Sequence, residues 1–204
     1  MRRGVILDRD GTLIDFYRDV ELGVVTPAFH PDHVQLLPGV VEGLRLLAEA
    51  GFVLGIATNQ PDAAKGRVPV SAIERTNARL VEALAEQGVV IEAVEVCLHH
   101  PEGAPAGSAE LIGPCACRKP APGLLEALIT RLDLDRDESW MLGDTFADAG
   151  AAAAAHLRFA LLAQLERCDI CPFSGAAPVG VKADVCAPTV LELARAIVVH
   201  APHL

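Results

Sequence analysis

Three short apolar runs, Val5-Ile6-Leu7, Phe52 to Ala57 and Ser139 to Leu142, each stop at a polar cluster. The clusters are Asp8-Arg9-Asp10, Thr58-Asn59-Gln60 and Gly143-Asp144. Runs this continuous read as strands buried on both faces, which is the condition of a parallel sheet covered by helices. Phe159 to Leu162 reads as a further short strand, and Val89 to Val96 as another. Such sheets bind ligands beyond the carboxyl ends of their strands, where all three polar clusters fall.

The intervening stretches carry helical signals. Pro38 to Ala50 has Val40, Leu44 and Leu47 at helical spacing and ends at Gly51. Ser71-x-x-Glu74 reads as a capping box opening a helix that runs to about Gln87, before Gly88. Pro122 to Leu132 and the Ala-rich Ala147 to Ala155 read as helices, and Thr189-x-x-Glu192 caps a last one reaching about Val199. Strands alternating with helices specify an α/β fold, a doubly wound parallel sheet with helices on both faces. A single domain is expected over 1–204, with no separate cap domain and no long insertion between Gly11 and Thr58.

Composition supports this class and excludes others. The chain is 51% hydrophobic but only 4% aromatic, which suits Ala/Leu helices and Val/Ile/Leu strands. A net charge of −10 argues against nucleic acid and acidic membranes as partners. No segment approaches the ~18 apolar residues of a membrane span. The apolar run after Arg2 and Arg3 stops at Asp8, too soon for a signal peptide, so a cytoplasmic protein is expected.

Asp8 and Asp10 sit at a strand end, next to a turn at Gly11. Two carboxylates and a backbone carbonyl converging there are hard oxygen ligands suited to Mg²⁺. A carboxylate beside a bound cation can also attack phosphorus. Further along, Cys97-x-His99 and Cys115-x-Cys117 supply two pairs of soft ligands directly before Arg118-Lys119-Pro120. Disulfide and metal site are both open from spacing alone, although a cytosolic setting favours metal.

Asp8-x-Asp10-Gly11-Thr12, Thr58 at a strand end, Lys119, and Gly143-Asp144-x-x-x-Asp148 occur in that order. This set resembles the haloacid dehalogenase superfamily over roughly residues 4 to 165. The resemblance implies a phosphatase with Asp8 as nucleophile and Asp10 as the acid that protonates the leaving oxygen and then activates water. It further implies that Thr58 and Lys119 hold the phosphoryl group, and that Asp8, Asp10 and Asp144 form the Mg²⁺ site. Asp148 is open between a metal role and service at a helix N-terminus.

Within the superfamily, Asp-Arg-Asp-Gly-Thr, Thr-Asn-Gln, Cys-x-His-His-Pro and Cys-x-Cys-Arg-Lys-Pro resemble the D-glycero-D-manno-heptose 1,7-bisphosphate and histidinol-phosphate phosphatases. That likeness implies a structural Zn²⁺ on Cys97, His99, Cys115 and Cys117 within a loop over 97–117. It also implies substrate contacts from Thr58, Asn59, Arg118 and Lys119; His100 itself reads as a loop residue rather than a ligand. The metal would hold Arg118 and Lys119 against the phosphate without taking part in the chemistry.

The chain departs from that branch at several points. It has Asp15-Phe16-Tyr17-Arg18 where the branch has an Asp-His-Gly-Tyr-like turn, Gly143-Asp144-Thr145 for Gly-Asp-Lys, and Lys65 for an Arg. A small phosphorylated sugar is the expected substrate, handled by a monomer or small homo-oligomer. Histidinol phosphate is one alternative, and a non-catalytic phosphate- or partner-binding module is another. Cys168, Cys171 and Cys186 lie outside the matched core in a tail over 164–204 and read as ordinary cysteines, with a second metal site, one ligand short, as the alternative.

Overall fold

The computed structural model describes residues 1–164 and 182–200. Its centre is a six-stranded parallel sheet built from β1 (Gly4–Leu7), β4 (Val53–Asn59), β5 (Ala93–Cys97), β6 (Trp140–Gly143), β7 (Arg158–Leu162) and β8 (Val185–Ala187). Their order is β5-β4-β1-β6-β7-β8, and β2 (Tyr17–Asp19) and β3 (Val24–Thr26) form a separate antiparallel hairpin. The helices are α1 (Val40–Glu49), α2 (Val70–Glu86), α3 (Gly123–Leu132), α4 (Phe146–Ala154) and α5 (Val190–His200).

Both faces of the sheet are covered, which is why its strands are continuously apolar. Val5, Leu7, Trp140 and Leu142 join Leu44 of α1, Leu80 of α2 and Leu193 of α5 in one core. Ile6 and Met141, between those residues, point the other way and join Leu125 and Leu128 of α3 and Ala151 of α4. Strand residues alternate between faces, so a run of three apolar residues feeds both cores. Burying each large side chain contributes about 1.5–3 kcal/mol, an upper estimate set against chain entropy.

Most element boundaries fall within one or two residues of the sequence reading. Thr189 caps α5 as expected, its hydroxyl accepting the Glu192 N–H at 3.2 Å. Ser71 does not cap α2, because that helix begins one residue earlier at Val70 and leaves Ser71 inside its first turn, behind Pro69. β5 begins at Ala93 rather than Val89; Val89 is buried and leads from α2 back under the sheet. The hairpin β2–β3 and strand β8 are additional elements. Cys168 and Cys171 lie outside the described residues, and Cys186 is exposed on β8. Among the described residues no helix is long and apolar enough to cross a membrane.

Candidate active site and metal centre

Three neighbouring strands, β4, β1 and β6, bring their carboxyl ends to one rim. Asp8 follows β1 directly, held by its N–H donating to the Leu142 carbonyl at 2.9 Å. The chain then turns at Gly11, whose φ of +80° favours glycine. A Cβ there would collide with Asp144 Oδ2, so glycine also permits the close approach of that carboxylate. Thr12 is fully buried and donates to Asp144 Oδ1 at 3.2 Å, tying the turn after β1 to the end of β6.

Lys119 crosses the rim from the loop before α3. Its Nζ lies 2.7 Å from Asp8 Oδ1 and 2.6 Å from Asp148 Oδ1, and donates to the Ala57 carbonyl at 2.8 Å. Its backbone is clamped by Asn59: the Lys119 N–H donates to Asn59 Oδ1 and Asn59 Nδ2 donates to the Lys119 carbonyl, both at 3.0 Å. Asn59 thus holds the lysine with both ends of its amide. Thr58, almost fully buried, accepts from Gln60 Nε2 at 2.9 Å.

Asp148 takes the helix N-terminus role and also pairs with Lys119. One carboxylate oxygen caps α4, accepting from the Thr145 N–H at 3.1 Å and the Thr145 hydroxyl at 2.6 Å. The other faces Lys119. Asp8, Asp144 and Asp148 offer carboxylate oxygens within 4.8 Å of one another. The Asp10 carboxylate turns elsewhere, to Arg9 Nε at 2.9 Å and Gln60 Nε2 at 2.6 Å.

The electrostatics follow from this crowding. Burial pushes Asp8 up to about 7, with repulsion from Asp148 and Asp10 adding to it and Lys119 opposing. Burial pushes Asp144 up to about 8, helped by Asp8 and Asp148 and opposed by Thr12. Burial disfavours the Lys119 ammonium, but Asp148 and Asp8 outweigh it and raise its pKa. Three carboxylates crowd together and the Lys119 ammonium pairs with two of them, Asp8 and Asp148, leaving a negative excess of hard oxygen donors that suits a divalent cation such as Mg²⁺.

The Cys/His loop closes beside this rim because β4 and β5 pair in register from Gly55 with Ala93 to Asn59 with Cys97. Cys97, His99, Cys115 and Cys117 bring their ligand atoms within 4.8 Å of one another. The sulfur separations are 3.0 Å for Cys97–Cys117, 3.4 Å for Cys115–Cys117 and 3.7 Å for Cys97–Cys115. A disulfide would need about 2.05 Å, so the cysteines are free thiols. Tetrahedral zinc with Zn–S bonds near 2.3 Å sets sulfurs about 3.8 Å apart, close to the Cys97–Cys115 edge and wider than the other two. His99 Nδ1 lies 3.4 Å from Cys117 Sγ and 3.9 Å from Cys97 Sγ, completing an S₃N donor set of Zn²⁺ type.

The loop also orients its basic neighbours. The Arg118 N–H donates to Cys115 Sγ at 3.4 Å, and Arg118 Nη1 donates to the His99 carbonyl at 3.4 Å. Burial opposes ionisation of Cys115, but the Arg118 N–H and the neighbouring thiols outweigh it and lower its pKa. His100 is a loop residue: its Nδ1 accepts from the backbone N–H groups of Glu102 and Gly103 at 3.2 and 2.9 Å.

Residues 15–33 meet the rim at Ala28, whose N–H lies 3.4 Å from Asp10 Oδ1. Tyr17 of β2 stacks on His33 with ring centroids 3.6 Å apart. Phe16 leans towards Gly11. Sequence reading missed the duties of Arg9, Gln60 and Asn77: Arg9 and Gln60 donate to Asp10, and Asn77 accepts from Arg9 across 68 residues of chain.

Residues 22–156 match the haloacid dehalogenase-like hydrolase family. The D-glycero-beta-D-manno-heptose-1,7-bisphosphate 7-phosphatase of Yersinia pestis is 35% identical over 153 residues, covering 75% of this chain and 76% of that one. The enzyme of the same name from Escherichia coli K12 is 33% identical over 153 residues, covering 75% and 74%. Among solved structures, D,D-heptose 1,7-bisphosphate phosphatase from B. bronchiseptica, complexed with magnesium and phosphate, superposes with a TM-score of 0.73. It is 27% identical, and the match covers 98% of this chain and 99% of that one. Both the matched family and these relatives carry the same assignment: the chain belongs to the haloacid dehalogenase-like hydrolases and, within them, to the phosphatases.

Proposed function

We propose that the chain is a Mg²⁺-dependent sugar phosphatase working through an aspartyl-phosphate, with D-glycero-D-manno-heptose 1,7-bisphosphate as its leading substrate. The observation that carries this reading is the Lys119 ammonium bonded to Asp8 Oδ1 and Asp148 Oδ1 on the rim where Asp144 and Thr58 also end. The likeness to heptose bisphosphate phosphatases supports the substrate. A phosphate-binding module would not need a nucleophile, and the complete acid set argues against that alternative.

Asp8 and Asp144 would hold Mg²⁺ through their carboxylates. Asp10, whose carboxylate is engaged by Arg9 and Gln60, would add its backbone carbonyl. Mg²⁺ held there would supply the positive charge that lets an anionic carboxylate approach an anionic phosphoryl group. With Lys119 on Oδ1, Asp8 attacks phosphorus through Oδ2 as the bond to the sugar oxygen breaks, and Asp10 gives that oxygen its proton. Water then attacks the phosphorus, passes its proton to Asp10, and phosphate leaves as Asp8 is restored. Thr58 and Lys119 stabilise the phosphoryl charge throughout, which is where most catalysis of phosphoryl transfer resides.

The test is a phosphate-release screen over the heptose bisphosphate, other sugar and polyol phosphates, and histidinol phosphate. Release should require Mg²⁺ and favour the bisphosphate. Arg118→Ala should raise KM for that substrate about tenfold, the loss of one charge-assisted contact, with kcat little changed. A fall in kcat alone would remove Arg118 as a ground-state contact. Preference for histidinol phosphate would overturn the substrate.

Cys97, His99, Cys115 and Cys117 would hold one structural Zn²⁺. Four protein ligands close the coordination sphere, leaving zinc no catalytic position. Elemental analysis of protein purified without chelator should give about one zinc per chain. Cys115→Ser should lose the metal and lower activity on the order of 10²-fold, as ångström-scale misplacement of Arg118 and Lys119 does. Metal-free wild-type protein of full activity would refute this.

A further inference from the structure

The geometry points to Arg9 as the residue that positions the Asp10 carboxylate for proton transfer, with Asn77 of α2 holding Arg9 in place. The inference rests on the reading of Asp10 as acid and base. Arg9 is fully buried, an expensive location for a guanidinium unless it is paired and hydrogen-bonded. Its Nε and Nη2 donate to Asp10 Oδ2 at 2.9 Å and Oδ1 at 3.0 Å. This two-pronged contact fixes the plane of the carboxylate as well as its distance, which the point charge of a lysine cannot do.

The remaining donors of Arg9 are anchored away from the reacting atoms. Nη1 donates to Asn77 Oδ1 at 2.6 Å, and Nη2 also donates to the Ala28 carbonyl at 3.1 Å. Asn77 is buried in the middle of α2. Asparagine is a weaker helix former than alanine, and a local cost of this kind is expected where a side chain has a positioning duty.

Asp10 is thereby held from several sides. Gln60 Nε2 donates to Oδ2 at 2.6 Å, and the Ala28 N–H reaches Oδ1 at 3.4 Å. The Ala28 contact is the longest of the set, so Oδ1 is the oxygen freest to exchange a proton. The Arg9 guanidinium bonds only within the protein at its described contacts, to Asp10, Asn77 and Ala28, so it acts through Asp10.

The step affected is cleavage of the substrate P–O bond, in which Asp10 gives its proton to the departing sugar oxygen while Asp8 bonds to phosphorus. A sugar alkoxide needs that proton. The p-nitrophenolate ion leaves without one at neutral pH. The ratio kcat/KM contains only steps up to leaving-group departure, so it isolates this proton transfer from later hydrolysis.

The experiment compares kcat/KM for D-glycero-D-manno-heptose 1,7-bisphosphate and p-nitrophenyl phosphate in wild type, Arg9→Lys and Asn77→Ala. For the sugar phosphate, Arg9→Lys should lower kcat/KM about 10²-fold and Asn77→Ala about tenfold, within the range of general acid catalysis. For p-nitrophenyl phosphate both losses should stay below about threefold. Asn77→Ala introduces a strong helix former, so a folding failure of Arg9→Lys leaves the comparison intact. Equal losses on both substrates would mean a structural role, and no loss in Asn77→Ala would mean no positioning; either overturns the inference. Absence of phosphate release from wild type would instead remove the phosphatase reading itself.

Discussion

Asp8→Asn should abolish phosphate release, with a loss on the order of 10³- to 10⁵-fold, the scale on which removal of an enzyme nucleophile acts. The amide is nearly isosteric and leaves Lys119 its second partner, Asp148, at 2.6 Å. The fold should therefore survive. Without metal, the variant should be less sensitive to rising pH than wild type. Asp8 and Asp144 are held up to about 7 and about 8, well above ordinary carboxylates. The folded state therefore keeps protons that the unfolded state has shed, and stability falls as pH rises through about 7 to 8. Removing Asp8 removes its share of that fall. Thermal unfolding from pH 5 to pH 9, with and without Mg²⁺, measures it alongside turnover. Turnover within tenfold of wild type would eliminate the covalent mechanism.

Lys119→Met should damage both activity and stability. The ammonium is almost fully buried and is the cation shared by Asp8 and Asp148. Breaking a buried ion pair from one side costs about 3–5 kcal/mol, because the remaining charges stay buried without a partner. For a chain of this size that corresponds to a fall in Tm of roughly 10 °C without metal. Turnover should fall about 10²- to 10³-fold, the scale of losing one preorganised electrostatic contact to the transition state. Added Mg²⁺ should recover part of the stability, since it also neutralises Asp8, but not the turnover. An unchanged Tm in metal-free protein would show that Lys119 does not balance these carboxylates.

What could be read from sequence was whatever lay close together in it or repeated with the period of an element. Buried strands and the Asp8, Thr58 and Asp144 positions at their ends were legible, because a continuous apolar run and its polar stop are local. The four zinc-type ligands were legible as two short-spaced pairs. The hairpin was not. Its strands span three residues each, and Val24 and Val25 are both exposed, so no burial period marks them. Ser71 failed for the opposite reason: the capping pattern is present, but the preceding residues extend the helix past it. The Arg9–Asn77 contact joins residues far apart in sequence on a strand end and a helix interior, and only the fold brings them together. Asp148 looked ambiguous because it has two roles, one local to Thr145 and one across the rim to Lys119.

The position of β1 between β4 and β6 has a consequence for synthesis. Chains leave the ribosome N-terminus first, so β1 can pair with β4 while β6 is still to be made. One edge of an apolar strand then stands open, the kind of edge that invites pairing with other chains. Asp8, Arg9 and Asp10 follow directly behind that edge. In the half-made sheet they are hydrated charges, the gatekeeper pattern that discourages aggregation beside a hydrophobic strand. When β6 closes on β1, the same aspartates pass into the crowded rim beside Asp144. Residues that burden the finished fold thus protect the unfinished one.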